Sequence, residues 1–197
     1  MSRKIILGSS SSYRASLLKQ LGVEFEQHSP DIDESKLEGE TPREMATRLS
    51  THKALKLQPL YPNHIIITSD QVAYIADKKK FLSKPGTIDN AIEQLTLCSG
   101  AFVDFYTGLC ILPSNLPEEM RVEVVKYRVK FRSLSQQEIK GYVKKEKPLN
   151  CAGSFMVENL GIHLFESMEG NDYNALIGLP LIALSKHLRD FGINPLL

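Results

Sequence analysis

The sequence predicts an α/β protein built on a mixed, twisted sheet with flanking helices. Segments with the apolar spacing of helices alternate along the chain with short apolar segments that suit strands, and this alternation is typical of α/β folds. The middle of the chain, FVDFYTGLCIL and MRVEVVKYRVKFR, is rich in β-branched and aromatic residues and alternates in part. Because of this β-rich middle, we expect antiparallel as well as parallel strand pairs.

The N-terminal third contains two predicted strands and two predicted helices. Residues 4–7 form the first strand, and after a serine-rich turn leucines repeat at helical spacing until Gly22 ends the helix. A short strand is predicted over residues 25–29, followed by an acidic loop. The stretch TPRE, which begins at Thr41, predicts the second helix because it combines an N-cap threonine, a proline at the first helical position and the glutamate of a capping box.

The rest of the chain continues the alternation without repeats, low-complexity tracts or clear linkers. Its predicted elements, in order, are an isoleucine-rich strand that ends near Asp70, a hairpin with its tip at residues 77–80, a helix from Thr87 to Gly100, the two β-rich segments, a helix over residues 135–146, a strand over residues 161–166 and a closing helix between Pro180 and Gly192. This organisation favours a single domain over residues 1–197.

Composition narrows the classes of function. The formal net charge of +1 argues against a protein that holds nucleic acid through a broad basic face. No apolar run approaches the length of a membrane span, so we expect a soluble cytoplasmic protein that binds neither membranes nor nucleic acid stably. The three cysteines lie far apart and form neither a disulfide framework nor a zinc pattern.

The most apolar strand ends in a carboxylate and an amide. In HIIITSDQV, three isoleucines are followed by a threonine and a serine and then by Asp70 and Gln71. In open α/β sheets ligands bind outside the carboxyl ends of buried strands, so this position suits a functional carboxylate. The simpler alternative is that Asp70 only forms an Asx turn.

The serine-rich turn GSSSSYR is a second candidate site. It links a strand to a helix, and the start of that helix supplies N–H groups and the positive end of the helix dipole. Ser9, Ser10 and Ser12 could bind phosphate oxygens together with Arg14. The turn is neither a dinucleotide-binding fingerprint nor a Walker loop, and the simpler alternative is an N-cap beside a surface arginine.

Further carboxylates and two lysines complete the set of candidates. The stretch DIDE places Glu34 in an acidic cluster after a strand, and hard divalent cations prefer such oxygen ligands. Lys53 lies on the helix that begins at Thr41, and Lys84 precedes a proline that fixes its backbone in an extended form. Each of these residues could also be an ordinary surface charge. Taken together, the candidates suit a magnesium-dependent reaction on a polyphosphate.

The sequence resembles the Maf nucleotide pyrophosphatases from about residue 5 to residue 197. The resemblance is carried by ILGSSSSYRASLLKQLG, DIDE, TPREMATRLSTHKA, IIITSDQV, SKP, SGAFVDFYTGL and CAGSF. Within the family the sequence is most similar to the subgroup that hydrolyses 7-methyl-GTP. That subgroup is marked by SDQV, where the relatives that hydrolyse dTTP and UTP typically read more like ADTVV, and by FYTGL and CAGSF.

This resemblance implies a two-lobed fold around a deep cleft, similar to inosine triphosphate pyrophosphatases. The implied reaction is hydrolysis between the α- and β-phosphates of a nucleotide, with a divalent metal (Mg²⁺ or Mn²⁺) as cofactor. Asp70 matches the family's proton acceptor, and we assign the metal to Glu34 and Asp70. The other matched positions are the polar pocket residues Arg14, Glu34, Lys53 and Lys84 and the base-selecting residues Tyr13, Gln71 and Glu158.

One departure from the family pattern concerns the serine turn. The family usually has two arginines there, but Ala15 stands at the second position and Ser12 stands where a proline is expected. Arg14 then acts alone or with another cation such as Lys19 or Arg43. Family members are often dimers, so a homodimer is compatible with the resemblance. The alternative functions are a dTTP/UTP or broader nucleotide pyrophosphatase and a non-catalytic nucleotide-binding regulator linked to cell division.

Overall fold

The protein is described here by a computed structural model that covers residues 4–197. The strands of this part of the chain are β1 (Lys4–Gly8), β2 (Glu26–Gln27), β3 (His64–Ile75), β4 (Lys80–Leu82), β5 (Phe102–Pro113), β6 (Arg121–Phe131) and β7 (Phe165–Gly170). Its α-helices are α1 (Ser12–Gln20), α2 (Pro42–Leu57), α3 (Ile88–Cys98), α4 (Gln136–Glu146), α5 (Tyr173–Ile177) and α6 (Leu181–Asp190). None of these helices is long and apolar enough to cross a membrane.

The seven strands form one mixed sheet, as the sequence predicts. The strand order is β2-β1-β3-β5-β6-β7, with β4 paired to β3 outside this path. Strand β1 pairs in parallel with β2 and with β3, whereas the β3–β4 and β6–β7 pairs are antiparallel. The predicted mixture of parallel and antiparallel pairs is therefore confirmed.

The chain divides into two compact units, which are described separately. The first unit contains the described residues up to Gln71 together with Thr107–Val125 and Asp172–Leu197, and the second contains Val72–Tyr106 and Lys126–Asn171. The single domain and the deep cleft between two lobes stay predictions.

In the first unit the isoleucine strand is buried on both faces. Ile65 and Ile67 pack in a cluster that includes leucines of α1 and α6. Ile66 points to the other face, where it packs with Leu57 of α2 and with Cys110. Because successive strand residues point to opposite faces, an unbroken isoleucine run suits a strand with helices on both sides. The first unit thus has the predicted flanking helices.

The second unit has an aromatic core. Phe105, Phe131, Phe155 and Phe165 form edge-to-face pairs with ring centroids 5.0–5.7 Å apart. Such edge-to-face pairs are the favoured geometry because the positive ring edge meets the negative face. Helices α3 and α4 also pack on each other in this unit.

Four local predictions were wrong or incomplete. The isoleucine strand does not end near Asp70, because β3 continues through Asp70 to Ile75 and its last residues pair with β4. The strand predicted over residues 25–29 is only Glu26–Gln27. The strand predicted over residues 161–166 starts later, because Leu160–Leu164 form a 3₁₀ turn and β7 follows. Helix α5 was missed since its five residues are too short to show helical periodicity.

Candidate active site

A buried lysine joins two carboxylates in the first unit. Nζ of Lys53 lies 2.5 Å from Oδ1 of Asp70 and 2.6 Å from Oε1 of Glu34. The side chains of Lys53 and Asp70 are 8% and 11% exposed, whereas that of Glu34 is 50% exposed. Charges this far from water persist when each has a partner of opposite sign. We name Glu34, Lys53 and Asp70 the lysine centre; it contains one positive and two negative groups.

The face of helix α2 that carries Ser50 and Lys53 packs against strand β3. Ser50 and Lys53 are three residues apart and share that face of the helix. Oγ1 of Thr68 donates a buried 2.6 Å hydrogen bond to the Ser50 carbonyl. Asp70 lies two residues beyond Thr68 and therefore on the same side of β3. The Thr68–Ser50 bond sets the register that brings Lys53 to Asp70.

Two glycines allow the backbones around the lysine centre to approach closely. A Cβ on Gly108 of β5 would lie 2.2 Å from the carbonyl oxygen of Ala46 in α2. A Cβ on Gly8 of β1 would lie 2.5 Å from Cγ2 of Thr68. Neither distance is possible for a real side chain, so larger residues would displace α2 or β1 from their neighbours.

The serine turn caps α1. Ser11, which the sequence did not single out, is the N-cap, and its Oγ accepts the Arg14 N–H at 3.3 Å. Ser9 is buried, and its Oγ accepts the Ser11 N–H at 3.1 Å and an Nη1–H of Arg14 at 3.4 Å. Ser10 and Ser12 are exposed. The turn is thus an N-cap, but the arginine beside it is half-buried and anchored rather than a loose surface residue.

Arg14 is held by the C-terminal part of the chain. Its Nε donates a 2.8 Å hydrogen bond to the carbonyl of Gly178, and Oγ of Ser69 donates to the same oxygen at 2.9 Å. Burial lowers the pKa of Arg14, while the nearby carboxylates of Asp70 and Glu34 act in the opposite direction. An arginine stays protonated at neutral pH in any case. The structure therefore brings a fixed cation close enough to the lysine centre to interact with both of its carboxylates.

Gln71 is also tied to the C-terminal segment. Its Nε2 donates to the carbonyls of Ala175 at 2.8 Å and Leu176 at 2.9 Å. Oγ1 of Thr107 donates to the Ala175 carbonyl as well. Because the amide nitrogen of Gln71 is engaged, any bond from this side chain to a ligand has to be accepted by its carbonyl oxygen.

The remaining predicted residues lie outside the lysine centre. Tyr13 is in the first turn of α1 and is 41% exposed. Lys84 and Glu158 belong to the second unit, where both are exposed in irregular segments. The structure brings Glu34, Lys53, Asp70 and Arg14 together within one unit, and the roles of Lys84 and Glu158 stay predictions.

The donor set of the lysine centre fits a hard divalent cation. Mg²⁺ prefers oxygen ligands and usually takes one or two protein carboxylates plus substrate phosphates. Glu34 and Asp70 supply two carboxylates, and the ammonium of Lys53 between them demonstrates that the pair accepts a positive charge. Over residues 4–197 there is no cluster of three or more acidic, histidine or cysteine side chains that could hold a metal. Further ligands would thus have to come from the substrate and from water.

Sequence reasoning missed the groups that support the site. Ser11, Ser69 and the carbonyl of Gly178 fix Arg14, directly or by sharing its acceptor. Ser69 could have been found, since it immediately precedes Asp70 in the SDQV stretch. Gly178 could not, because nothing local relates it to an arginine 164 residues away.

The fold is similar to that of a solved Ham1 protein. The Ham1 protein of Staphylococcus aureus aligns over 96% of this chain and 100% of its own, at 14% identity and a TM-score of 0.51. A HAM1 protein from Coxiella burnetii aligns over the same shares at 15% identity and a TM-score of 0.49. A nucleoside-triphosphatase described as a dITP/XTP pyrophosphatase, from Mycobacterium abscessus, aligns over 66% of this chain and 75% of its own at 15% identity and a TM-score of 0.43. At such an identity the S. aureus match supports the fold alone.

The sequence itself gives the family. The Maf-like protein family matches residues 4–191, which contain the serine turn, the acidic stretch, α2 and the Asp70 strand. This range includes nearly all of the described residues. The chain belongs to the Maf-like protein family.

Proposed function

We propose that this chain hydrolyses 7-methyl-GTP to 7-methyl-GMP and pyrophosphate by metal-assisted attack of water. Its family places it among the hydrolases that act on phosphoric anhydride bonds. The substrate and the assignment of roles to residues are our proposal. They rest on one observation above all, the contact of Lys53 with both Asp70 and Glu34 beside a fixed arginine.

The geometry suits attack of water on a phosphoryl group. This reaction needs an oriented water and neutralisation of the charge on the phosphoryl oxygens. Asp70 accepts the proton of the water as the bond between the α- and β-phosphates breaks. Lys53 holds the Asp70 carboxylate at a fixed place through their direct contact.

The phosphates are bound by positively charged side chains. Arg14 binds the triphosphate with those guanidinium N–H groups that donate neither to Gly178 nor to Ser9. Lys84 adds a further positive charge from the second unit. Glu34 and Asp70 would hold the divalent metal, which, when bound, neutralises phosphoryl oxygens and makes a bound water more acidic.

Choice of base follows from the charge of the methylated ring. Methylation at N7 makes guanine cationic, and a cation binds an aromatic face with about 1–2 kcal/mol when it is desolvated. The exposed ring of Tyr13 supplies such a face, and Glu158 supplies a compensating carboxylate. Because its Nε2 is already engaged, Gln71 can contact the base only through its side-chain carbonyl oxygen, which accepts hydrogen bonds. The N1–H and N2–H groups on the edge of guanine are suitable donors.

The test is release of pyrophosphate from a panel of nucleotides, with and without Mg²⁺. The panel contains 7-methyl-GTP, GTP, dTTP, UTP and ITP, and we expect 7-methyl-GTP to give the highest kcat/KM. Preference for dTTP or UTP would favour the alternative pyrophosphatase. Tight nucleotide binding without pyrophosphate release would favour the non-catalytic regulator.

A substitution at Glu158 tests the assignment of the substrate. Replacing Glu158 by alanine should reduce the preference for 7-methyl-GTP over GTP, because the compensating charge is lost. Glu166, another exposed glutamate of the second unit, provides the matched control as Glu166→Ala. Selectivity that is equal in the wild type and in Glu158→Ala would remove Glu158 from the base site.

A further inference from the structure

Glu34 lies in a segment without regular secondary structure. Residues 31–41 form neither helix nor strand and lead directly into α2. Oδ1 of Asp33 accepts the Ser35 N–H at 2.8 Å, which forms a local Asx turn next to Glu34. This turn shapes the segment but does not attach it to the rest of the unit. Something else has to keep the half-exposed Glu34 within 2.6 Å of Lys53.

An ion pair between Arg48 of α2 and Glu40 attaches this segment to the helix. The guanidinium of Arg48 binds the Glu40 carboxylate with two parallel bonds, Nε to Oε1 at 2.6 Å and Nη2 to Oε2 at 2.8 Å. Nη2 also donates to the carbonyl of Ser35 at 3.0 Å. Glu40 in turn accepts the N–H of Leu37 at 3.1 Å. Arg48 thus holds both ends of the stretch from Ser35 to Glu40.

This pair is well shielded from solvent. The side chains of Arg48 and Glu40 are 16% and 7% exposed, in contrast to the 50% exposure of Glu34. The hydrogen bond from Arg48 lowers the pKa of Glu40, and the bond to Glu40 raises the pKa of Arg48. Two-point bonds of this kind fix direction as well as distance.

We propose that Arg48, through Glu40 and the Ser35 carbonyl, is a positioning residue that holds the Glu34 carboxylate on Lys53. Arg48 lies five residues before Lys53 on the same helix, so α2 carries both the group that anchors the segment and the group that Glu34 meets. In this role Arg48 acts through the segment that carries Glu34. The inference deepens the proposed function, because it gives the lysine centre a dedicated support.

Lysine cannot replace Arg48 in this role. A lysine keeps the positive charge but has no planar fork, so it cannot bind both oxygens of Glu40 and the Ser35 carbonyl at once. A catalytic group that moves by about 1 Å can cost up to about a hundredfold in rate. Because Glu34 is one of two carboxylates in the centre, we expect a smaller loss of about tenfold in kcat/KM for Arg48→Lys.

The decisive experiment is a double-mutant cycle between Arg48→Lys and Glu34→Gln. If Arg48 acts through Glu34, its substitution should lower kcat/KM by about tenfold in the wild type and by less than about twofold in the Glu34→Gln background. A residue with a merely structural role would lower both to the same extent. Lys56→Gln, which removes an exposed cation from the last turn of the same helix, is the matched control and should leave kcat/KM unchanged.

A second measurement is independent of catalysis. Amide hydrogen exchange without substrate should become faster at residues 33–41 in Arg48→Lys and Glu40→Gln, while the amides in the second half of α2 keep their wild-type rates. Equal losses of activity in the two backgrounds, or unchanged exchange at residues 33–41, would overturn the inference. If the wild type hydrolyses no nucleotide, the proposed function fails and the exchange result alone decides whether Arg48 positions Glu34.

Discussion

Each of the two units contains a cluster of three charges, and the clusters are opposite in composition. The lysine centre of the first unit has one cation between two carboxylates. In the second unit, one carboxylate, Asp104, meets two cations, with Arg128 bound through Nε at 2.5 Å and Lys126 at 2.9 Å. We name Asp104, Lys126 and Arg128 the aspartate centre. Both have a nearly buried charge at their core, so burial alone does not reveal which of them carries out chemistry.

The two clusters differ in the sign of their net charge and in the groups that compensate it. In the aspartate centre the cations also lie over aromatic rings, Lys126 over Tyr106 at 5.5 Å and Arg128 over Phe102 at 5.3 Å. Burial raises the pKa of Asp104, but the bonds from Arg128 and Lys126 outweigh this effect and leave its pKa below the usual value. Cation–π contacts and solvent thus stabilise the excess positive charge of the aspartate centre. The three residues of the lysine centre have one excess negative charge, which the nearby guanidinium of Arg14 offsets, and their two carboxylates suit a metal ion.

The largest expected effect comes from removing the charge of Asp70. In Asp70→Asn, Lys53 keeps its contact with Glu34, so the fold should remain intact. Loss of the proton acceptor should lower kcat by roughly a hundredfold or more. Steady-state kinetics with 7-methyl-GTP, together with a thermal melt, check both parts. A variant with near-normal turnover would show that Asp70 is not the base.

The matched substitution in the aspartate centre should act on stability instead. Asp104→Asn leaves Lys126 and Arg128 without their carboxylate. Losing one partner of a fully buried pair costs about 3–5 kcal/mol, and we expect about 2–3 kcal/mol here because each cation is 36% exposed. Urea unfolding measures this loss, and kcat of the folded variant should fall far less than in Asp70→Asn. A loss of turnover as large as that of Asp70→Asn would end the distinction between the two centres.

Local sequence predicted those features that depend on neighbouring residues. The capping box that begins at Thr41 is present, and so is the one at Ser135, because each needs only a glutamate three residues later. The burial of the isoleucine strand on both faces was also predictable, since an unbroken apolar run favours a strand covered on both sides. The continuation of β3 beyond Asp70 to Ile75 was not.

Long-range polar contacts could not be predicted in this way. The Arg14–Gly178 bond and the Gln71–Ala175 bond join parts of the chain more than 100 residues apart. Their acceptors are backbone carbonyls, which every residue carries, so no residue type marks them in the sequence. The role of Arg48 was missed for a related reason. An arginine on a helix and a glutamate just before that helix are common at protein surfaces, so the pair does not stand out in the sequence.

A pair of glycines tests how tightly each unit constrains its helices. In Gly108→Ala of the first unit, the new Cβ would collide with the Ala46 carbonyl, so α2 has to shift. We expect a loss of about 1–2 kcal/mol in unfolding free energy and reduced turnover, because Lys53 moves with the helix.

Gly141, in the middle of α4, has nothing within 4 Å of a Cβ. Gly141→Ala should therefore stabilise the protein by about 0.5–1 kcal/mol without affecting turnover. Equal effects of the two substitutions on unfolding would contradict the close approach of α2.

The smallest expected effect concerns the two capping-box glutamates, one in each unit. Hydrogen bonds from the Ser135 backbone, from Arg132 and from the Ser135 hydroxyl lower the pKa of Glu138 to about 2. Bonds from Thr41 also lower the pKa of Glu44, but no arginine bond contributes there. A carboxyl whose pKa is lower in the folded than in the unfolded state stabilises the fold above its unfolded pKa, and this contribution is lost as the pH falls toward the folded value. Glu138→Gln should thus lower the urea midpoint at pH 7 more than Glu44→Gln does, and the difference from the wild type should shrink as the pH falls from about 4.5 toward about 2. Both glutamates are exposed, so solvent screening keeps the effect of each substitution on stability small. A pH-independent difference would mean that the charge of Glu138 contributes nothing to its cap.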